Sequence, residues 1–183
     1  MKEYATRSDL RGFAAKKTLA ENASIRTMAK RRSPNGSTFL SHSSKDEELV
    51  DGAIAVLKGH GATVYIDEID PDMPPYTNTE TAEKLKQRID QCKKFVMLAS
   101  KNSKGSTWVP WELGIADGKK DLNRVAIFSA VENQSDTSWV SWEYLGLYHQ
   151  IMWADLQGHD KPLWIVLNRR RNTGTPLSEW LKA

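Results

Sequence analysis

Cysteine is almost missing from this chain, with Cys92 alone among 183 residues. One thiol cannot form an internal disulfide, so the fold must rest on its core, and a reducing, cytoplasmic setting is expected. Long apolar runs are also missing. None approaches the roughly 20 residues that a membrane-spanning helix needs. The first 33 residues contain no continuous apolar segment, so a secretory leader is not expected. No G-x-x-x-x-G-K-[ST] phosphate loop occurs, which argues against an ATPase of that type. His60, His149 and His159 lack the spacing of metal ligands, and with so little cysteine no metal site is expected. Tryptophan is absent up to residue 107, and all seven fall from Trp108 onward.

What is present is the composition of an ordinary globular protein, 39% hydrophobic and 27% charged, long enough for one α/β domain with an appendage. The net charge of +3 hides an asymmetry. Residues 1–33 hold nine Lys/Arg against three Asp/Glu, and the remainder is mildly acidic. Such a basic arm could meet nucleic acid, an anionic membrane or a partner subunit, or could be a solvated helix packed lightly on the body. "AKRRS" at 29–33 is too short to support nucleic-acid binding, and no membrane contact is expected. Pro34, Asn35 and Gly36 read as a linker. The division is therefore a basic helical arm over 1–36 and a domain over 37–183, with the arm removable without loss of the sheet.

From residue 37 the pattern alternates between strands and helices. "STFLSH" (37–42) reads as a strand. The following stretch reads as a helix through Leu49, Val50, Ala53, Ile54 and Leu57, with Ser44 and Glu47 as a capping box and Gly59 or Gly61 as its stop. "ATVYID" (62–67) is a second strand, followed by a proline-rich loop and an amphipathic helix through Ala82, Leu85 and Ile89. "KKFVMLAS" (93–100) is a third strand, whose continuous apolar run implies burial on both faces. Helices over about 107–119 and 138–150 flank a fourth strand, "NRVAIFSAV". "KPLWIVLN" is a fifth strand and "PLSEWLKA" a terminal helix. This alternation predicts an α/β fold, a parallel sheet with helices on both faces.

In such sheets ligands sit beyond the carboxyl ends of the strands. Two near copies of one motif lie there: "STWVPWELG" (106–114) and "TSWVSWEYLG" (137–146). Each sets a tryptophan four residues ahead of a glutamate, Trp108 with Glu112 and Trp139 with Glu143, which places ring and carboxylate on one helix face. The motif alone does not say which glutamate has a chemical role.

The ordered set "TFLSHSSKDEELV", "HGATVYIDEIDPDMP" and "CKKFVMLASKNSKGSTWVPWELGIA" resembles the Toll/interleukin-receptor (TIR) domain family, in particular its stand-alone bacterial members, over about 37–168. The resemblance implies a flavodoxin-like five-stranded parallel sheet. It also implies cleavage of NAD⁺ at the nicotinamide–ribose bond, with NAD⁺ as substrate and no cofactor. The product would be an ADP-ribose-derived, cyclic signal in bacterial antiphage defence of the Thoeris type, read by a separate effector protein. Self-association through TIR contacts is a further implication. The family's glutamate lies in the helix after the third strand, which selects Glu112 as catalytic over Glu143. By the same resemblance Ser41, His42, Ser43 and Lys45 hold ribose or phosphate, Asp67 and Asp72 wall the nicotinamide side, and Trp108 packs beside the site. Bond cleavage builds positive charge on the ribose, which a carboxylate stabilises, and the pyridinium needs no acid to leave.

The chain departs from family habit in two places: His42-Ser43 follows the first strand where an arginine or aromatic is common, and Pro71, Pro74 and Pro75 occupy a loop that usually carries glycine. The residues themselves leave alternatives open. Glu112 reads equally as a first-turn glutamate favoured by the helix dipole, Trp108 as core, and Ser43, Ser44 and Lys45 as capping. A TIR scaffold without catalysis, acting by TIR–TIR association, is the competing function.

Overall fold

The computed structural model describes residues 2–67, 79–136 and 143–183. The loop expected to close the site (68–77, with Asp70, Asp72, Pro71, Pro74 and Pro75) and Trp139 lie outside these residues. The elements in chain order are β1 (Lys2–Glu3), β2 (Ala5–Thr6), α1 (Arg7–Ala14), α2 (Leu19–Lys30), β3 (Thr38–Ser41), α3 (Glu47–Gly59), β4 (Val64–Tyr65), α4 (Thr79–Gln91), β5 (Lys94–Ala99), α5 (Lys101–Lys104), α6 (Trp108–Lys119), β6 (Val125–Val131), β7 (His149–Ala154), β8 (Leu163–Asn168), β9 (Thr173–Pro176) and α7 (Leu177–Lys182).

The sheet runs β4-β3-β5-β6-β7-β8-β9. Its first five strands are parallel, the doubly wound order expected, and β8 and β9 continue antiparallel. Period-two alternation sorts the side chains between two cores. On β5, Phe95, Met97 and Ala99 face α4 and α6, while Val96 and Leu98 face α3. Helices therefore cover both faces, as the continuous apolar strands require. No helix among the described residues is long and apolar enough to cross a membrane.

Several expectations need correction. The sheet has more than five strands, and the fifth parallel strand is β7, of which only His149 and Gln150 fall within the helix expected over 138–150. The approach to β7 is a short 3₁₀ turn, Glu143–Leu147. "KPLWIVLN" is a strand, but antiparallel: it follows β7 after a connection too short for the crossover a parallel return needs. Only Val64 and Tyr65 of "ATVYID" pair as strand. The Ser44–Glu47 capping box does not form. Residues Ser44–Asp46 make a 3₁₀ turn capped by Ser43, and α3 begins at Glu47. Its stop is as expected, with Gly61 in the left-handed region at φ 93°.

The largest correction concerns residues 1–33. Helices form there, each opened by a capping box, Thr6 with Asp9 and Thr18 with Glu21. They are not lightly packed. Leu10 is fully buried, and Ala5, Leu10 and Ala29 belong to the same core as Leu40, Leu49 and Val50. Each buried aliphatic side chain of this size contributes roughly 1.5–3 kcal/mol. Gly52 is the reason α1 can lie so close to α3, since a Cβ there would overlap the Leu10 carbonyl. The basic charge faces α3 and the end of β6: Arg11 pairs with Glu48 at 2.6 Å, Arg7 lies 3.7 Å from Glu48 and 3.3 Å from Glu132, and Arg26 bonds Asp51. Most of these pairs are exposed and contribute little each, so apolar burial holds the segment. The asymmetry of charge along the chain is a match between two surfaces of one molecule.

Candidate active site

Glu112 lies in the second turn of α6, not the first, so attraction to the helix dipole does not account for it. The helix opens at Trp108, where Ser106 Oγ accepts from the N–H groups of Trp108 and Val109, each at 3.2 Å. Pro110 follows within the first turn, where its missing N–H costs nothing. One turn on, Glu112 points into the sheet and is only 5% exposed.

Its partner comes from the end of β3. Phe39 and Ser41 share the strand face that meets α6, and Leu40 takes the other. Ser41 Oγ donates to Glu112 Oε2. No other side-chain hydrogen bond reaches the carboxylate among the described residues, and this one is not enough to offset burial. Desolvation pushes Glu112 up to about 8, opposed by the Ser41 bond and assisted by the negative charge of Asp67. Asp67 itself is fixed from α4, where Arg88 Nη1 donates to both of its oxygens at 2.6 and 2.8 Å. That pairing raises the Arg88 pKa, and burial pushes neighbouring Tyr65 up to about 12.

The expected site residues therefore divide. Ser41 touches Glu112, Asp67 acts on it through its charge, and Trp108 lies one helical turn before it, edge-on to Trp111 at 5.4 Å between ring centroids. His42 falls on the opposite strand face. Its Nδ1 lies 3.1 Å from the Leu40 carbonyl oxygen, burial lowers its pKa, and the charges around it are Asp46, Lys30 and Glu47. Ser43 caps the turn that follows, accepting from Lys45 N–H at 3.3 Å. The Lys45 side chain is exposed. Asp72 lies outside the described residues.

A second buried carboxylate was not anticipated. Asp46 is 1% exposed and accepts from Ser100 Oγ and from Asn102 Nδ2, the latter at 2.7 Å. Ser100 in turn caps α5, and Ser103 Oγ donates to the Leu98 carbonyl at 2.7 Å. This closed network fastens the loop after β3 to the loop after β5. Its signal was the S-x-x-S spacing of Ser100 and Ser103, a capping box in the loop "SKNS". Arg88 also escaped notice, since it reads as one more charge on an amphipathic helix. Cys92, buried and with its thiol pushed up to about 12 by desolvation, has no nucleophilic character at neutral pH.

The TIR domain family model matches residues 38–163, which contain every strand from β3 to β7 and the whole of this site. The chain belongs to the TIR domain family. Among its relatives is a protein of Bacillus cereus (strain MSX-D12) named "Probable 3' cyclic ADP-D-ribose synthase ThsB'", 39% identical over 112 residues. The matched stretch is 60% of this chain and 57% of that relative, so this TIR protein spans little more than half the length of the curated relative it matches. The family match starts at Thr38 and leaves β1, β2, α1 and α2 outside it, although these elements pack into the same core.

Proposed function

We propose that this TIR domain cleaves NAD⁺ at the nicotinamide–ribose bond and closes the remainder into a cyclic ADP-ribose. The observation that carries the reading is Glu112: a carboxylate buried at the carboxyl end of a parallel sheet, held by one serine and pushed up to about 8. A carboxylate so placed is poorly stabilised until a positive charge arrives. NAD⁺ brings a pyridinium, and bond breaking moves that charge onto the ribose as neutral nicotinamide leaves. Glu112 is then ionised by the substrate and stabilises the oxocarbenium-like state. Ser41 holds the carboxylate, and in this reading the exposed Lys45 supplies positive charge for a phosphate of NAD⁺.

Capture of the ribosyl cation by a hydroxyl of the same molecule, in place of water, gives the cyclic product, and the hydroxyl's proton passes to the Glu112 carboxylate. The name of the Bacillus cereus relative supports the cyclic outcome and its 3' linkage. By this reading the product is a diffusible signal in antiphage defence, recognised by a separate effector, and the site is completed by a neighbouring copy through the loop at 68–77. The decisive experiment incubates purified protein with NAD⁺ and follows nicotinamide release and product mass together. Release with a product lighter than ADP-ribose by one water supports cyclisation. ADP-ribose alone means hydrolysis, and no release at any protein concentration leaves the scaffold function. Specific activity that stays flat across a dilution series of a monomer removes the shared site.

A further inference from the structure

At the other end of the sheet from Glu112, about 17 Å along β5, a cavity of about 410 Å³ opens between the starts of β5, β6 and β7 and the β8–β9 pair. Lys94, Arg124 and Arg171 line it. Lys94 is 3% exposed, yet its ammonium is paired with no carboxylate among the described residues, and the same is true of Arg124 and Arg171. Asp121 also lines the cavity and pairs with none of the three. The Lys94 ammonium does lie 4.6 Å from the centre of the Trp180 ring. Such a contact contributes roughly 0.5–2 kcal/mol, whereas taking an ammonium out of water costs several kcal/mol. The ring does not balance the burial. On the same wall His149 Nδ1 is buried with no hydrogen-bond partner among the described residues. Burial and the positive charges of Lys93 and Arg124 lower Lys94 to about 8.

The geometry points to a binding site for a phosphate-bearing small molecule, whose oxyanion lies between Lys94, Arg124 and Arg171. Two guanidinium groups and a buried ammonium are the donor set that a tetrahedral oxyanion requests, and the cavity is of small-molecule size. The site belongs to neither the NAD⁺ reaction proposed above nor the Glu112 end of the sheet.

The test uses the full chain and calorimetric titration with inorganic phosphate, pyrophosphate and AMP at constant ionic strength. Saturable binding of at least one probe below about 10 mM is expected. Arg124→Gln and Arg171→Gln, both at exposed positions, should each weaken it about 5- to 10-fold without changing the melting temperature in the absence of ligand, and Lys94→Met should abolish it. Should Lys94→Met unfold, the two arginine variants decide alone. AMP binding more than tenfold tighter than pyrophosphate assigns a nucleotide, and equal or tighter pyrophosphate binding assigns an inorganic or terminal phosphate. Glu112→Gln must bind like the parent. Absence of binding by all three probes, arginine variants that bind undiminished, or loss of binding in Glu112→Gln would each overturn the assignment.

Discussion

Two carboxylates are buried at the same edge of this sheet, and they are treated in opposite ways. Asp46 receives a hydroxyl and an amide from the loop after β5 and ties two loops together. Glu112 receives one serine hydroxyl and is left under-stabilised, its pKa pushed up to about 8. Burial is equal, 1% against 5% exposed, so the difference lies in the number of donors. A carboxylate supplied with donors holds structure, and one kept short of them retains capacity for an incoming cation.

The contrast is sharpest in Glu112→Gln. Removing the charge while nearly keeping the shape should lower nicotinamide release by roughly 10²–10³-fold or more, with the melting temperature at pH 8 equal to the parent's or above it. Equal losses of activity and stability would break the comparison. Asp46→Ala should show the reverse, a loss of roughly 2–3 kcal/mol by denaturant unfolding, because the Ser100 hydroxyl and the Asn102 amide are left unpaired. Activity should fall only as far as the folded fraction does.

The pH dependence distinguishes the two groups further. Glu112 has a folded pKa raised from 4.5 to about 8, so its contribution to stability is fully present below pH 4.5 and is lost as pH rises through 8. The loss is on the order of a few kcal/mol, and Glu112→Gln should abolish that part of the slope. Over the same range kcat/KM for NAD⁺ should rise with pH, since it reports ionisation in the free enzyme. A stability profile identical in parent and variant would refute the assignment of the shift. Ser41→Ala should have a smaller effect, a several-fold fall in release together with a further upward move of the kcat/KM inflection, because the donor that lowers the Glu112 pKa is gone. Smallest of all, Glu143→Gln should leave most of the activity, and its loss would mean that the two W-x-x-x-E motifs have been assigned the wrong way round.

Much of this was open to reading in the residues, and the reason is physical. Strands β3, β5 and β6 are mostly apolar and buried throughout because both faces are covered, and α3 and α4 carry clean helical periodicity, so local pattern and global layer agree. Glu112 and Ser41 were named by the family resemblance, since the W-x-x-x-E spacing fits Glu143 as well as Glu112, and the pairing of the two joins strand β3 to helix α6 across 71 residues. What escaped was decided by tertiary partners. β7 takes its place from the strands on either side of it, and β8 reverses direction because its connection is short. The Asp46 network joins loops more than 50 residues apart, and no local pattern carries that. The basic charge of the first 33 residues was visible, but its complement on α3 was not, since neither segment announces its neighbour.

The first residues of the chain also set how the domain can be made. Lys2 and Glu3 pair with Ala154 and Trp153, and Ala5 and Thr6 with Ala130 and Val131. β1 and β2 must therefore wait for β6 and β7, and their closure spans most of these 183 residues. Pairing of this kind raises contact order and slows the final step. During synthesis, when residues emerge at roughly 5–20 per second, Leu10 and its neighbours remain uncovered until α3 has formed, and β6 and β7 remain open where β1 and β2 will lie. The domain should then fold in two kinetic stages, with the parallel core β3–β6 forming first and the N-terminal strands locking it afterwards.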